Sequence, residues 1–317
     1  MASDGAPSTS GDSKDQQGQI GLLAGIGSYF SWGFLPLLFH YLEPSGPLTV
    51  VANRTVWSLV FVGVILLVMR RTPEIMAALR DRATLRSMVI SALLLAGNWL
   101  LYVWAVGQGH VLESSFGYFI NPMVNVAIGM VLLGERHNNL QKLSIAISLI
   151  AIVIQGFGIG RIPYIALGLA LSFGFYGFFR KTAKVSSATG LFVETLVLAP
   201  IALVYIGYTV MRDGVGVYAD PLQLGLLLLC GPATAVPLLL FAFAVQRLRL
   251  TTIGMLQYIG PSIQFLLAIL WLHEPLNPLK IISFALIWVS IAVYSADSLM
   301  RRGKANGHGR AAASTEH

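Results

Sequence analysis

The chain has 317 residues, of which 56% are hydrophobic and 11% charged, and its 21 Lys and Arg outnumber 14 Asp and Glu for a formal net charge of +7. Apolar content this high with so little charge excludes an ordinary soluble domain. The single cysteine, Cys230, excludes an intramolecular disulfide and a cysteine-pair metal site.

Residues 1–17 are rich in Ser, Gly, Asp and Gln and carry no basic n-region, so they read as a disordered cytoplasmic tail before an uncleaved first span. Ten apolar runs follow: Gly18–Phe39, Thr49–Met69, Leu85–Val106, Phe116–Leu133, Leu143–Phe157, Ile165–Phe179, Leu191–Tyr208, Leu222–Val245, Thr251–Leu272 and Leu279–Ala296. A helix needs about 20 mostly apolar residues to cross the hydrocarbon core. Most runs suffice alone, and the short fifth and sixth can borrow flanking residues or thin the bilayer locally. The fold expected is an all-α polytopic membrane protein of ten transmembrane helices. Residues 299–317, polar and rich in Gly and Ala, read as a second disordered cytoplasmic tail.

The basic residues fall into alternate gaps between the runs. Seventeen lie in one set (Lys14, the arginines from Arg70 to Arg86, Arg136 with Lys142, Arg180 to Lys184, Arg247 with Arg249, and the C-terminal tail), whereas the other set holds only Arg161, Arg212 and Lys280. Under the positive-inside rule both termini are cytoplasmic. The net positive charge is therefore that of cytoplasmic loops, and no basic face interleaved with aromatics points to nucleic acid.

Polar residues inside the runs mark candidate sites, because an ionisable group at the bilayer centre costs about 2.5–3.5 kcal/mol. Arg54, in the second run, suits an anionic solute group or a gate; Glu194, in the seventh, suits a proton or an opposing gate. The competing reading for both is interfacial snorkelling or local pairing. Asn98 and Tyr102 form an i, i+4 pair. Tyr118, Asn121 and Asn125 share one helical face at i, i+3 and i+7, and Gln257, Pro261 and Gln264 repeat that face at i, i+4 and i+7. Amides and phenols suit a pocket that binds and releases a polar solute, although they also lock helices together with bonds of about 0.6–2 kcal/mol. Pro122 and Pro261 lack an N–H and free a carbonyl one turn back, giving flexibility or an extra acceptor. Glu113, before the fourth run, suits a proton relay or a plain loop carboxylate. Tyr29, Trp32, Trp99, Trp104 and Tyr258 read individually as packing or interfacial anchors rather than as a stacking site. Glu135 and Glu274 read as structural partners for nearby basic residues or backbone.

The two halves resemble each other. A shift of 139 residues lays Asn121-Pro122 on Gly260-Pro261, Asn125 on Gln264, Ala105-Val106 on Ala244-Val245 and Glu135 on Glu274; a shift of 144 lays Ser28-Tyr29 on Ser172-Phe173 and Trp32-Gly33 on Tyr176-Gly177. Residues 18–157 and 158–298 thus form two repeats of five spans. An odd number of spans forces opposite insertion, and inverted repeats characterise secondary transporters with a midplane site between the halves.

The segments Gly97-Asn98-Trp99-Leu100-Leu101-Tyr102-Val103-Trp104-Ala105-Val106, Gly117-Tyr118-Phe119-Ile120-Asn121-Pro122, Leu133-Gly134-Glu135-Arg136 and Gln257-Tyr258-Ile259-Gly260-Pro261 resemble the RarD-type permeases of the EamA-type branch of the drug/metabolite transporter superfamily. The resemblance runs from about Gly18 to Ala296. It implies two inverted five-helix EamA-type repeats, the bacterial inner membrane and transport of a small metabolite or drug-like solute. Efflux and proton coupling are expected from the resemblance alone, and facilitated diffusion stays open. The second-half counterpart of Leu-Gly-Glu has diverged to Leu272-His273-Glu274-Pro275.

No GxxxxGK[ST] loop, His-Glu-x-x-His run or nucleophile–base constellation is present, so no cofactor, metal or catalytic residue is expected. The partners expected are a small-molecule solute, the lipid bilayer and protons, without nucleic acid. A monomer suffices because the duplication supplies both halves, and a dimer stays open. The alternative class is a non-transporting membrane sensor or an embedded enzyme.

Overall fold

A computed structural model of the chain describes residues 10–108, 110–157, 163–270 and 278–314, all helical or connecting backbone with no strand among them. The helices are α1 (Ser10–Tyr41), α2 (Pro47–Val68), α3 (Thr72–Arg80), α4 (Arg82–Gly107), α5 (Val111–Leu133), α6 (Asn139–Gly156), α7 (Tyr164–Thr182), α8 (Ser187–Asp213), α9 (Pro221–Arg247), α10 (Leu250–Gln257), α11 (Ile259–Leu270) and α12 (Pro278–Ser314). Short 3-10 turns at Glu43–Ser45 and Gly216–Ala219 precede α2 and α9.

Eight of the described helices, α1, α2, α4, α5, α6, α8, α9 and α12, contain a stretch long and apolar enough to cross a membrane. The chain is a multi-pass membrane protein. Ten such helices were expected, and the sixth and ninth runs fall short for different reasons. α7 has 19 residues and ends in Arg180 and Lys181. The ninth run is not one helix: it breaks at Tyr258 into α10 and α11. Pro261 cannot donate to the carbonyl of Gln257, and its ring crowds that carbonyl, so Gln257 is the last residue of α10. Pro122, at the matching register, sits inside an unbroken α5.

Two other features depart from expectation. Helical backbone begins at Ser10 and reaches Ser314, entering both segments read as tails, because each is continuous with an apolar span that propagates the helix. The nine-residue α3, too short to span, lays Ile75 and Ala78 inward, and Ala78 packs in a cluster with Met88 and Val193.

Local polar chemistry sets the helix ends. Asn138 and Ser186 cap α6 and α8 by accepting from Gln141 N and Thr189 N, and Asp220 caps α9 by accepting from Leu222 N. Gly134 ends α5 at φ 65°, a conformation a Cβ disfavours, and the next N–H, of Glu135, returns to Gly129 O at 2.9 Å. That turn aims the Glu135 carboxylate at the start of α10, where it accepts from Leu250 N (2.6 Å), Thr251 N (3.1 Å) and Thr251 Oγ1 (2.6 Å). Arg249 Nε lies 3.6 Å from the same carboxylate, so Glu135 is the structural partner it was read to be. Glu274 lies outside the described residues.

The bundle packs α5 on α7, α1 on α9, α6 on α12, α2 on α8 and α9, α4 on α7 and α8, and α1 on α11. In lipid, helices gain little from burying apolar surface against each other, so small residues and hydrogen bonds do the joining. The α6–α12 contact illustrates this: Ser144 and Ser290 each donate to the other's carbonyl, at 2.9 and 2.8 Å, and Ser148 Oγ meets Ser290 Oγ at 2.7 Å. Large apolar side chains such as Val68, Val131 and Val204 face outward, which suits hydrocarbon rather than water.

Candidate functional site

A cavity of about 510 Å³ lies among α1, α2, α4, α5, α7, α9, α10 and α11. Its wall runs from Tyr29, Phe173 and Leu238 to a rim at His40, Glu43, Gly46 and Pro47, the turn between α1 and α2. Seven of the eight residues expected to bind solute line it: Arg54, Asn98, Tyr102, Tyr118, Asn121, Gln257 and Gln264. They come from five helices, which is why no single run of sequence contains the site.

Arg54 is the pivotal side chain. Its Nε donates to Thr234 Oγ1 at 3.1 Å, and its guanidinium carbon sits 4.2 Å from the Trp99 ring centroid and 5.6 Å from that of Phe39. No carboxylate among the described residues forms an ion pair with it. A desolvated cation–π contact contributes about 2 kcal/mol, against about 2.5–3.5 kcal/mol to hold the charge at membrane depth. Trp99 thus offsets much of the cost without neutralising the charge. The sequence reading gave Trp99 to packing or an interfacial anchor; in the fold it is the platform of the cation.

The amides divide into two groups. Asn121 is 4% exposed, and its Oδ1 is buried without a hydrogen-bond partner among the described residues. Gln264 reaches Trp32 O only at 3.5 Å, a weak bond. Asn98 instead directs its Nδ2 to Leu169 O at 2.8 Å and Ser172 Oγ at 2.9 Å, tying α4 to α7. Asn125 is the one expected binder away from the wall: it is 1% exposed and donates to Gln257 Oε1 at 3.0 Å, joining α5 to α10. Its position one turn beyond Asn121 carries it past the cavity floor. Tyr102 and Tyr118 sit with ring centroids 6.2 Å apart on the wall. Pro261 is also on the wall, whereas Pro122 is not. Glu113 is on the first turn of α5, and its side chain lies outside the described residues.

Below the cavity is a floor of rings. Trp32 and Phe173 meet at 5.8 Å, Phe173 and Phe241 at 5.4 Å, and Tyr176 stacks on Phe241 at 5.7 Å. Leu169, Phe173, Tyr176 and Arg180 follow one face of α7 and lead from the wall to a second arginine. Arg180 and Glu194 are both fully buried, with Arg180 Nη1 3.6 Å from Glu194 Oε1. Arg180 Nη2 donates to Ser187 O at 2.9 Å, and Ser91 Oγ donates to Glu194 Oε1. A Cβ at position 190 would press on Arg180 Nη1, so Gly190 makes room for the guanidinium beside α8. Tyr176 Oη, Arg180 Nε and Glu194 Oε2 have no hydrogen-bond partner among the described residues. Nearby, Lys181 Nζ donates to Val245 O and Leu248 O, holding α7 to the end of α9. Arg180 was read as a loop charge beside Lys181 and Lys184, and the continuing face of α7 was the available sign that it turns inward. Among the described residues, no three His, Cys, Asp or Glu side chains group to hold a metal ion.

The EamA-like transporter family matches this chain twice, at residues 19–156 and 162–296. Protein RarD of Escherichia coli K12 is 38% identical over 285 residues, covering 90% of this chain and 96% of the relative. An uncharacterized transporter of Vibrio cholerae is 39% identical over 285 residues, with 90% and 94% covered. Another of Pseudomonas aeruginosa is 41% identical over 284 residues, with 88% and 94% covered. A solved crystal structure shares the fold, with a TM-score of 0.68 at 18% identity, covering 89% of this chain and 98% of the other.

Proposed function

The chain belongs to the EamA-like transporter family and is of the RarD type, and from that premise we propose that it is a secondary transporter moving a small solute by alternating access. The cavity is its solute site, seen from the rim at 40–47 and closed at the opposite end. The observation that carries this reading is the unpaired, ring-stacked Arg54 in a cavity that ends on an aromatic floor.

The membrane core is ten spans in two inverted repeats, with the α10–α11 pair counted as one interrupted span and α3 as none. The packing supports that reading. Exchanging α1 with α7, α2 with α8, α4 with α9, α5 with the α10–α11 pair, and α6 with α12 carries the main contacts onto one another: α1·α9 becomes α7·α4, α5·α7 becomes α11·α1, and α2·α9 becomes α8·α4. The interrupted span at the cavity wall is also what midplane sites of inverted-repeat transporters use. We read both termini as cytoplasmic from the basic loops and the membrane as the bacterial inner membrane, so the rim faces the periplasm. The Arg180–Glu194 pair and the Lys181 contacts then hold the cytoplasmic end closed. Efflux is the direction, and protons, taken up as Glu194 leaves Arg180, are the coupling ion. One polypeptide is enough for this cycle.

Metabolite profiling of cells and medium in deletion, normal and overexpressing strains tests the transport reading. A compound whose export rises with gene dosage is expected. Dosage-dependent accumulation inside reverses the direction, and no dosage-dependent compound across several growth conditions counts against transport. In proteoliposomes carrying a trapped pH dye, the solute should shift the dye signal; flux without the shift removes proton coupling.

A further inference from the structure

We propose that the solute is a monoanionic aromatic acid: a carboxylate carried by a planar ring system. The proposal rests on the transporter reading of the same cavity and adds the chemical class.

The charge inventory of the wall decides the sign. Arg54, His40 and Glu43 are the ionisable groups other than tyrosines among the lining residues; His40 and Glu43 are exposed at the rim, and Arg54 lies deeper on α2. Arg54 Nε is engaged by Thr234, but no described residue accepts from its Nη nitrogens, and no described carboxylate neutralises it. A guanidinium clamped by its ring face and by Nε keeps its remaining donors in one plane, the geometry that matches a carboxylate. A solute ammonium has no such counterpart at that depth. One cation also matches one negative charge, so a dianionic phosphate would bring an uncompensated charge into an apolar cavity.

The rest of the wall sets the body of the solute. Tyr29, Trp32, Phe173, Tyr102 and Tyr118 line the same cavity as Arg54, and aromatic walls favour a flat ring over a polyol. The cavity, about 510 Å³, is in the range that holds a drug-sized ligand. Asn121 lines the same wall and brings an amide, a group that both donates and accepts, for a polar substituent on the ring.

The test is calorimetry on the full chain in lipid nanodiscs, corrected against protein-free discs. The titrants are 1-naphthaleneacetate, 1-naphthaleneacetamide and 1-naphthylmethylamine, which share a ring and differ in charge. The acid should bind at least about tenfold more tightly than the amide, with the amine weakest. In Arg54→Gln the acid and amide should bind equally, while Asn125→Ala, away from the wall, should keep the preference. Equal binding of acid and amide by the unaltered chain, a preference that survives Arg54→Gln, or failure of all three to bind overturns the class. This failure is separable from failure of transport. A neutral or cationic compound that follows gene dosage leaves the transporter standing and removes the class, whereas acid-selective binding with no dosage-dependent export does the reverse.

Discussion

Arg54 and Arg180 are both set among transmembrane helices, yet the two ends of the bundle treat them differently. Arg180 meets Glu194, Ser187 O and Met88 Sδ, with Gly190 making room, in a junction of α4, α7 and α8 that is fully buried. Arg54 meets Thr234 and the faces of Trp99 and Phe39, and remains on the wall of a cavity. A buried cation supplied with its own carboxylate is compensated within the protein. A cation given rings and one hydroxyl keeps a charge that no described carboxylate compensates. What the neighbouring helices bring to the guanidinium separates the two.

The largest effect should come from breaking the Arg180–Glu194 junction. Glu194→Gln leaves Arg180 buried and unpaired, a change that costs about 3–5 kcal/mol, and most of the protein should be lost from the monodisperse peak after solubilisation. Replacing both partners, Arg180→Met with Glu194→Leu, should recover much of the folded yield, because breaking a buried pair costs more than removing it. If Glu194 also carries the proton, this folded double variant should move solute without the pH-dye signal. Arg54→Gln should do the opposite: folded yield and melting temperature hold, while transport efficiency falls about ten- to hundredfold, matching a charged hydrogen bond of roughly 1.5–3 kcal/mol.

The amides sharpen the contrast at smaller scale. Asn98→Ala removes two bonds between α4 and α7 and should lower stability by about 1–2 kcal/mol with little change in KM. Asn121→Ala and Gln264→Ala should raise KM about two- to tenfold, as for one hydrogen bond to solute, with stability nearly unchanged. Transport at full efficiency in both would remove them from the site.

The smallest effect lies in the α5–α6 connection. His137 meets Thr251 Oγ1 at 2.7 Å, and partial burial, then the nearby Arg249, hold its pKa below the ordinary imidazole value. The folded chain therefore binds this proton less readily than the unfolded chain. The stability this gives is fully present above about pH 6.5 and is lost as pH falls through the lowered folded value. His137→Gln, which keeps a partner for Thr251, should flatten the acid side of the melting-temperature profile slightly and leave neutral pH unchanged.

Much of this was legible in the sequence, for identifiable reasons. Apolar run length reports membrane helices directly, so eight of the runs emerge as spanning helices. Helical periodicity put Tyr118 and Asn121 on one face, and both reach the cavity. Periodicity also put Asn125 there, but a face is longer than a cavity, and the partner that captures Asn125, Gln257, is 132 residues away. Pairings across such separations have no local trace. Hence Trp99 read as packing or an interfacial anchor and Arg180 as a loop charge, and Glu194 was read as a gate opposing Arg54 although its partner is Arg180. The break at Tyr258 was available in Gly260-Pro261, yet Pro122 shows that the same residue can sit in a continuous helix.

The most direct test of the cavity as the transport site is flux of the dosage-identified solute in proteoliposomes, comparing the unaltered chain with Arg54→Gln at equal reconstituted, folded protein. Flux in the first and its loss in the second, with an unchanged melting temperature, is the result expected. Equal flux in both would contradict the account, because the charge held ready on Trp99 would then have no part in moving the solute.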